Sequence, residues 1–190
     1  MRRLIVFNSV SLDGYFTDTS GDMSWAHKQD AEWNAFVKGN AGGGGTLLFG
    51  RKTYELMASY WPTPMAMKND PVVAEAMNKL PKLVFSRTLD KAAWSNTTLV
   101  KDDMVAAVRK MKTDTGDGPG DGIVILGSGS IVSQLAQAGL IDEFQIALNP
   151  IVLGRGRTLF EGVKNKLNLK LTNSRTFQNG NAFLCYEPAT

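Results

Sequence analysis

Short apolar runs alternate with helix-like segments along this chain, and that alternation limits the possible folds more than any other feature. The runs are residues 4–10, 46–49, 83–85, 123–126 and 141–148. Runs of this length, apolar and partly β-branched, are typical of buried strands. Because helical segments separate most of them, we predict an α/β fold with a mostly parallel central sheet.

The helices are predicted from capping residues and from the spacing of apolar side chains. They are residues 31–38 after a cap at Asp30, a helix beginning near Arg51, one beginning at Asp70-Pro71, one from a cap at Asp102 to Met111, and one ending at Ala138 before Gly139. Asp is a favoured N-cap, and Gly is the favoured residue just after a helix. Residues 15–29 and 113–122 are predicted to be loops.

The C-terminal part predicts an antiparallel hairpin. Residues 167–177 and 183–186 form the two candidate strands around Asn179-Gly180. Asn-Gly is a strong signal for a tight hairpin turn. No repeat or linker interrupts the pattern, so we expect one domain over residues 1–190.

Composition excludes several classes of protein. With 43% hydrophobic and 21% charged residues among 190, the chain is expected to fold rather than to remain disordered. A net charge of +3 is too small to indicate a nucleic-acid-binding surface. One Cys and one His exclude a disulfide and a His/Cys metal cluster. No apolar run reaches the ~20 residues of a membrane span. No signal peptide is recognised, so a cytoplasmic location is expected.

The segment from Gly127 to Val132 is the first candidate binding motif. It directly follows a predicted strand and opens a helix. Small residues there let a ligand approach the backbone, and a helix N-terminus offers free N–H groups to a phosphate. It does not match the G-x-G-x-x-G fingerprint, because position 132 is Val. A tight strand-to-helix turn without a ligand explains the same residues equally well.

Two further strand ends carry cations and hydroxyls. Gly50, Arg51 and Thr53 follow one strand, and Ser86 and Arg87 follow another. Guanidinium and hydroxyl groups suit a phosphate, although a solvated helix turn or strand end accounts for each motif alone. Ligands of open α/β sheets bind outside the C-terminal ends of the strands, so the three motifs together favour one shared site.

These motifs, in this order and spacing, resemble those of the dihydrofolate reductase superfamily. The segments that carry the resemblance are Gly50-Arg51-x-Thr53-x-Glu55, Leu83-Val84-Phe85-Ser86, Gly127-Ser128-Gly129, Asp142-Glu143 and Pro150-Ile151-Val152-Leu153-Gly154. Ser9-Val10-Ser11-Leu12-Asp13-Gly14 is closer to one branch, the RibD C-terminal type of riboflavin biosynthesis. The resemblance covers residues 3–187 and implies a three-layer fold with helices on both faces of the sheet.

The resemblance also implies a cofactor, NADPH, and a role for each motif. Gly50, Arg51 and Thr53 would hold the phosphates on the adenosine side, and Ser86 and Arg87 the 2′-phosphate. The pyrophosphate would lie on Gly127, Ser128, Gly129, Ser130, Ile131 and Val132. Asn8 and Ser9 would border the nicotinamide carboxamide, and the loop after Asp13 would be a mobile lid.

Two carboxylates are candidates for the catalytic role. Glu32 precedes Phe36 by four residues, which is the spacing of the acidic and aromatic residues on the first helix of folate reductases. It could protonate a ring nitrogen, or it could simply favour the helix dipole from the first turn. Asp13 could contact the substrate, or it could hold a turn before Gly14.

The sequence departs from the relatives in ways that bear on function. Ser128 stands where folate reductases usually have another glycine, and the zinc deaminase domain that often precedes the riboflavin reductase is missing. We therefore expect a stand-alone reductase without a metal, acting on a small pyrimidine- or pterin-like heterocycle. Reduction of an aminouracil of riboflavin biosynthesis is the leading hypothesis. Dihydrofolate reduction and a non-catalytic nucleotide or small-molecule binder are the alternatives. A homodimer through residues 141–148 or the C-terminal hairpin is also expected.

Overall fold

The computed structural model describes residues 1–26, 30–41, 44–114 and 122–189. Within these ranges the chain forms ten strands and six α-helices. The strands are β1 (Arg3–Ser11), β2 (Tyr15–Thr17), β3 (Thr46–Gly50), β4 (Lys82–Phe85), β5 (Thr97–Val100), β6 (Gly122–Leu126), β7 (Glu143–Asn149), β8 (Arg157–Thr158), β9 (Leu169–Thr176) and β10 (Ala182–Pro188). The helices are α1 (Ala31–Ala41), α2 (Arg51–Tyr60), α3 (Pro64–Asn69), α4 (Pro71–Lys79), α5 (Met104–Thr113) and α6 (Gly129–Gln137).

Eight of the strands form one sheet in the order β5-β4-β3-β6-β1-β7-β10-β9. The strands from β5 to β7 in this order run parallel to one another. Strand β10 runs antiparallel to both β7 and β9. This confirms the predicted mostly parallel sheet with an antiparallel hairpin at its C-terminal side.

Helices cover both faces of the sheet, because successive side chains of a strand point to opposite faces. Leu48 of β3 packs into a cluster that includes Val108 of α5 and Leu135 of α6. Its neighbours Leu47 and Phe49 pack instead into a second cluster. That second cluster contains Tyr54 of α2 and Val73 and Met77 of α4. The three layers implied by the resemblance are therefore present.

The first helix covers the same face near the hairpin. Trp33, Phe36 and Val37 are spaced i, i+3, i+4 and so share one face of α1, and they pack with Phe177 and Phe183. The ring centroids of Trp33 and Phe177 are 4.9 Å apart in an edge-on arrangement. Asp30 caps this helix as predicted, because its Oδ1 accepts a hydrogen bond from the N–H of Trp33 at 2.7 Å.

Some boundaries differ from the sequence-based predictions. Asp103, not Asp102, caps α5, since its Oδ1 accepts from the N–H of Ala106 at 2.9 Å. Helix α3 was not predicted, although Thr63 caps it through a 3.3 Å bond from the N–H of Ala66. Strand β5 and the short β2–β8 pair were also missed. The predicted loop at 113–122 falls largely on residues 115–121, outside the described residues.

The predicted dimer edge at residues 141–148 is wrong. Strand β7 lies inside the sheet, where it pairs with β1 on one side and β10 on the other. A strand with both sides paired has no free N–H and C=O groups for another chain. The hairpin contributes one of the two edges of the sheet, because β9 ends it on one side and β5 on the other.

A buried lysine joins α4 to β4. Lys82 is 1% exposed. Its Nζ donates to the carbonyl oxygens of Leu80 at 2.7 Å, Met77 at 2.8 Å and Asn78 at 3.2 Å. It also lies 4.5 Å from the ring centroid of Trp94. A cation is favoured here because the last carbonyls of a helix carry partial negative charge. Burial nevertheless lowers the pKa of Lys82 to about 8.

We predict that Lys82→Met lowers the free energy of unfolding by about 2–4 kcal/mol at pH 7, because three buried carbonyls lose their donor. Above pH 8 the unfolded state, with its lysine pKa near 10.5, binds more protons than the folded state. The free energy of unfolding of the wild type should therefore increase relative to that of the variant as the pH rises from 8 to 10.5. Urea denaturation at several pH values measures both effects.

Lys79→Met is the matched control, because Lys79 is exposed and forms an ion pair with the exposed Glu75. This substitution should lower the free energy of unfolding by less than about 0.5 kcal/mol. Equal losses in the two variants would contradict the structural role of Lys82.

Candidate dinucleotide-binding and active site

The site lies where three adjacent parallel strands end. Strands β3, β6 and β1 are neighbours in the sheet, and their C-terminal ends meet at one edge. Gly50 ends β3 and is the N-cap of α2. Gly127 and Ser128 follow β6, and α6 begins at Gly129. Two helix N-termini, each with a positive dipole end, therefore start from neighbouring strands.

Side-chain hydrogen bonds connect these strand ends. The Oγ of Ser128 accepts from the N–H of Gly50 at 2.7 Å and donates to Oγ1 of Thr53 at 2.8 Å. The Oδ1 of Asn8, on β1, accepts from the N–H of Gly127 at 2.9 Å. Five residues that the sequence singled out separately are thus brought into direct contact.

Close packing explains why Gly127 and Gly129 are glycines. Gly127 has φ +63°, and a Cβ there would lie 2.9 Å from Cγ2 of Thr53. A Cβ on Gly129 would lie 2.9 Å from the carbonyl oxygen of Thr158 and 3.0 Å from the ring of Phe16. Any larger side chain would force the two strand ends and the β2–β8 pair apart.

The first turn of α6 offers hydrogen-bond donors to the cleft. Gly129 and Ser130 line the cleft, and as the first two residues of the helix they have N–H groups without an intrahelical acceptor. The N–H groups of Ile131 and Val132 donate to the carbonyl oxygen of Ser128 at 2.9 and 3.0 Å. Ile131 and Val132 are themselves buried, so they anchor the helix.

Arg51, Ser86 and Arg87 all line the cleft, and they follow β3 and β4, which are neighbours at one side of the sheet. The Nη1 of Arg51 donates to Oγ1 of Thr88 at 2.8 Å, and its Nε to Glu55 at 2.7 Å. The Oγ of Ser86 accepts from the N–H of Thr88 at 3.2 Å, which holds the same loop. Arg87 is exposed and forms no ion pair within the part of the chain that the structure describes. Its charge is therefore available to an anion.

Asn8 carries a buried donor without an acceptor. It is 4% exposed, its Oδ1 is occupied by Gly127, and its Nδ2 has no partner. A buried unpaired N–H is costly, and a carbonyl of a ligand in the cleft would satisfy it. Ser9 also lines the cleft, and strand alternation points it to the opposite face, toward α1.

The part of the cleft beneath α1 is mainly aromatic and apolar, with a few amide and hydroxyl groups. Its lining includes Phe7, Ser9, Trp33, Asn34, Val37, Trp61, Leu126 and Gln145. Flat rings bind well to such surfaces, with the few polar groups fixing their orientation. The arrangement therefore suits a small heterocycle lying beside the strand ends.

Glu32 is not among the residues that line the cleft. Its Oε1 accepts from Nη2 of Arg175, on β9, at 2.7 Å, and both side chains are partly exposed. Arg175 in turn lies over the ring of Phe177, 4.8 Å from its centroid. The acid is therefore engaged by strand β9, and its role as a proton relay stays a prediction that the geometry does not favour.

Asp13 holds a loop junction. Its Oδ1 accepts from Oγ of Ser11 at 2.6 Å and from the N–H of Leu153 at 3.1 Å, and its Oδ2 from the N–H of Gly154 at 2.7 Å. The Ser11 hydroxyl, helped by these backbone donors, lowers the pKa of Asp13 below its usual value. An ionised carboxylate with these partners favours the structural interpretation. It is not among the cleft-lining residues either.

The first residues of the predicted lid form a short β-strand. Residues Tyr15–Thr17 pair with Arg157–Thr158 against the start of α6. His27 lies outside the described residues.

Within those residues, no cluster of three or more His, Cys, Asp or Glu could hold a metal. Also within them, no helix is both long and apolar enough to cross a membrane.

The sheet order and the cleft define an α/β protein with the dihydrofolate reductase fold. The chain belongs to the RibD C-terminal domain family, whose model matches residues 2–183. Among its relatives, the uncharacterised protein YyaP of Bacillus subtilis is 31% identical over 97% of this chain and 94% of its own length. YwjB of the same organism, also uncharacterised, is 26% identical over 93% and 92%.

Solved structures agree on the fold. A putative riboflavin biosynthesis protein from Shewanella sp. PV-4 has a TM-score of 0.74 at 23% identity, over all of both chains. A diaminohydroxyphosphoribosylaminopyrimidine deaminase/5-amino-6-(5-phosphoribosylamino)uracil reductase from Thermotoga maritima has a TM-score of 0.68 at 15% identity, over 99% of this chain and 57% of that one. Dihydrofolate reductase from Enterococcus faecalis has a TM-score of 0.62 at 15% identity, over 99% and 97%.

If the chain is a reductase, the placement of Glu32 predicts that Glu32→Gln leaves its turnover within about twofold of the wild type, as measured by substrate-dependent oxidation of the nicotinamide cofactor. Loss of a general acid would instead lower the turnover rate roughly 10²–10⁴-fold. Arg175→Gln, which breaks the same ion pair from the other side, is the control. A hundredfold loss confined to the Glu32 variant would restore it as the proton relay.

Proposed function

We propose that this protein is an NADPH-dependent reductase that transfers a hydride to a small pyrimidine- or pterin-like heterocycle. The observation that carries the proposal is the junction of the α2 and α6 N-termini at adjacent strand ends, with Arg51 and Arg87 lining the same cleft. A dinucleotide has the matching order of groups: a pyrophosphate in the middle and, in NADPH, a phosphomonoester at one end.

The residues of the site fit this cofactor group by group. The N–H groups of Gly129 and Ser130, with the start of α2, would hold the pyrophosphate. Arg51, Ser86 and Arg87 would hold the 2′-phosphate, since guanidinium groups bind phosphate oxygens with two parallel hydrogen bonds. The unpaired Nδ2 of Asn8 would donate to the nicotinamide carboxamide.

When bound, the nicotinamide supplies the hydride, and the chain's own residues orient the two rings and exclude water. Phe7, Trp33 and Leu126 offer apolar surface against which a flat substrate can lie. Gln145 also lines this part of the cleft, and because its Nε2 donates to Oε1 of Glu143 at 2.7 Å, its amide oxygen is the group that can accept from a ring N–H. Holding the reacting carbons in contact is the main contribution expected of such a site.

The leading substrate class is an aminouracil of the riboflavin pathway, supported by membership of the RibD C-terminal domain family. Dihydrofolate is the second candidate, supported only by the shared fold. A non-catalytic nucleotide binder is the alternative from another class, because fold alone does not determine function. The positions of Glu32 and Asp13 outside the cleft lining favour that alternative more than the sequence did. Substrate-dependent NADPH oxidation with either substrate would exclude it.

Arg87→Ala tests the cofactor assignment. We expect wild-type protein to bind NADPH more tightly than NADH, and the variant to lose about tenfold in NADPH affinity, the scale of one charge-assisted hydrogen bond. Affinity for NADH should stay the same, because NADH lacks the 2′-phosphate. Quenching of the fluorescence of the four tryptophans measures both dissociation constants.

The matched control is Arg109→Ala, which removes an exposed arginine of α5 that does not line the cleft. It should leave both affinities unchanged. Equal wild-type affinities for NADPH and NADH would contradict the 2′-phosphate site, and binding of neither would contradict the reductase proposal altogether.

A further inference from the structure

Ser128 adopts a backbone conformation that serine rarely takes. Its φ is 59° and its ψ is 70°, in the left-handed region. Among the described residues, Asn96, at φ 54°, is the other non-glycine with positive φ. Asn tolerates this region relatively well, whereas a serine there is disfavoured and a glycine would be unstrained. Backbone strain at a non-glycine residue suggests that its side chain makes contacts that a glycine could not make.

The Ser128 side chain joins the two helix starts. Its hydroxyl donates to Oγ1 of Thr53, in the first turn of α2, and accepts from the N–H of Gly50, the N-cap of α2. Its carbonyl oxygen accepts from Ile131 and Val132, in the first turn of α6. One residue therefore bonds to the N-termini of both helices.

The packing around this hydroxyl leaves little freedom. Ser128 is 9% exposed. A Cβ on Gly50 would lie 2.9 Å from Ser128 Oγ, so the hydroxyl fills the space above the bare Gly50 backbone. The hydroxyl has one hydrogen, and it is already given to Thr53. Ser128 Oγ is therefore not free to donate to a ligand.

We propose that Ser128 is a positioning residue that fixes the spacing of the α2 and α6 N-termini before the cofactor binds. The inference rests on the proposed dinucleotide function and assigns a role to a side chain where folate reductases usually have glycine. Preorganisation raises affinity because less ordering remains to be done on binding. The strained backbone is the cost of that preorganisation.

The proposal distinguishes ligands by how much of the junction they span. NADPH, with its pyrophosphate, would contact the starts of both helices. Adenosine 2′,5′-bisphosphate carries the 2′-phosphate and a single 5′-phosphate in place of the pyrophosphate, so it would reach only the side of the junction near Arg51 and Arg87. Loss of the hydrogen bonds of the Ser128 hydroxyl should therefore weaken the binding of NADPH more than that of the bisphosphate.

The experiment compares Ser128→Gly and Ser128→Ala with the wild type, using NADPH and adenosine 2′,5′-bisphosphate as probes. We expect both variants to weaken NADPH about tenfold, the scale of roughly 1.4 kcal/mol, and to change the affinity for the bisphosphate less than twofold. Ser128→Gly should unfold at a higher temperature than Ser128→Ala, because the glycine relieves the backbone strain and the alanine does not. Similar NADPH losses in both would show that the hydroxyl, and not the strain, sets the affinity.

Asn96→Gly is the control, since it relieves a left-handed residue away from the cleft and should leave both affinities unchanged. If the wild type binds NADPH and Ser128→Gly binds it equally well, the inference is wrong and the reductase proposal stands. Equal losses for both ligands would also overturn it. If the wild type binds no NADPH, the proposed function fails and the inference fails with it.

Discussion

The hydrogen bonds that connect β1, β3 and β6 at their C-terminal ends are the constraint on which the rest of the site depends. Parallel strands necessarily end together at one edge, but their connections are free to leave in different directions. Here Asn8 bonds to the backbone of Gly127, and Ser128 bonds to Gly50 and Thr53. These contacts direct α2 and α6 away from a common point and leave their N-termini side by side.

The sheet holds that point in place through burial on both faces. Leu4, Val6, Ile123 and Ile125 are completely buried on the face covered by α5 and α6. On the other face, Lys82 attaches the end of α4 to the start of β4 through three carbonyl oxygens. A close-packed interior of this kind has low compressibility, so the strand ends are a rigid base for a ligand.

Sequence reasoning identified the parts of the site that depend on local chemistry. A glycine-rich turn between an apolar run and a helix is recognisable at Gly127 to Gly129 without any knowledge of the fold. Other features depend on residues far apart in the chain. Nothing near Glu32 in sequence indicates that Arg175 binds it, and nothing near Asp13 indicates Leu153 and Gly154. Strand β5 was missed because Thr97–Val100 is half polar and owes its conformation to pairing with β4.

We propose that the N-termini of α2 and α6 together bind a dinucleotide, and amide chemical shifts recorded during an NADP⁺ titration of the intact protein are the direct test. We expect the largest shifts on Gly129, Ser130 and the first turn of α2, with a second group at Ser86 and Arg87. Shifts confined to other surfaces, or none at saturating NADP⁺, would contradict it.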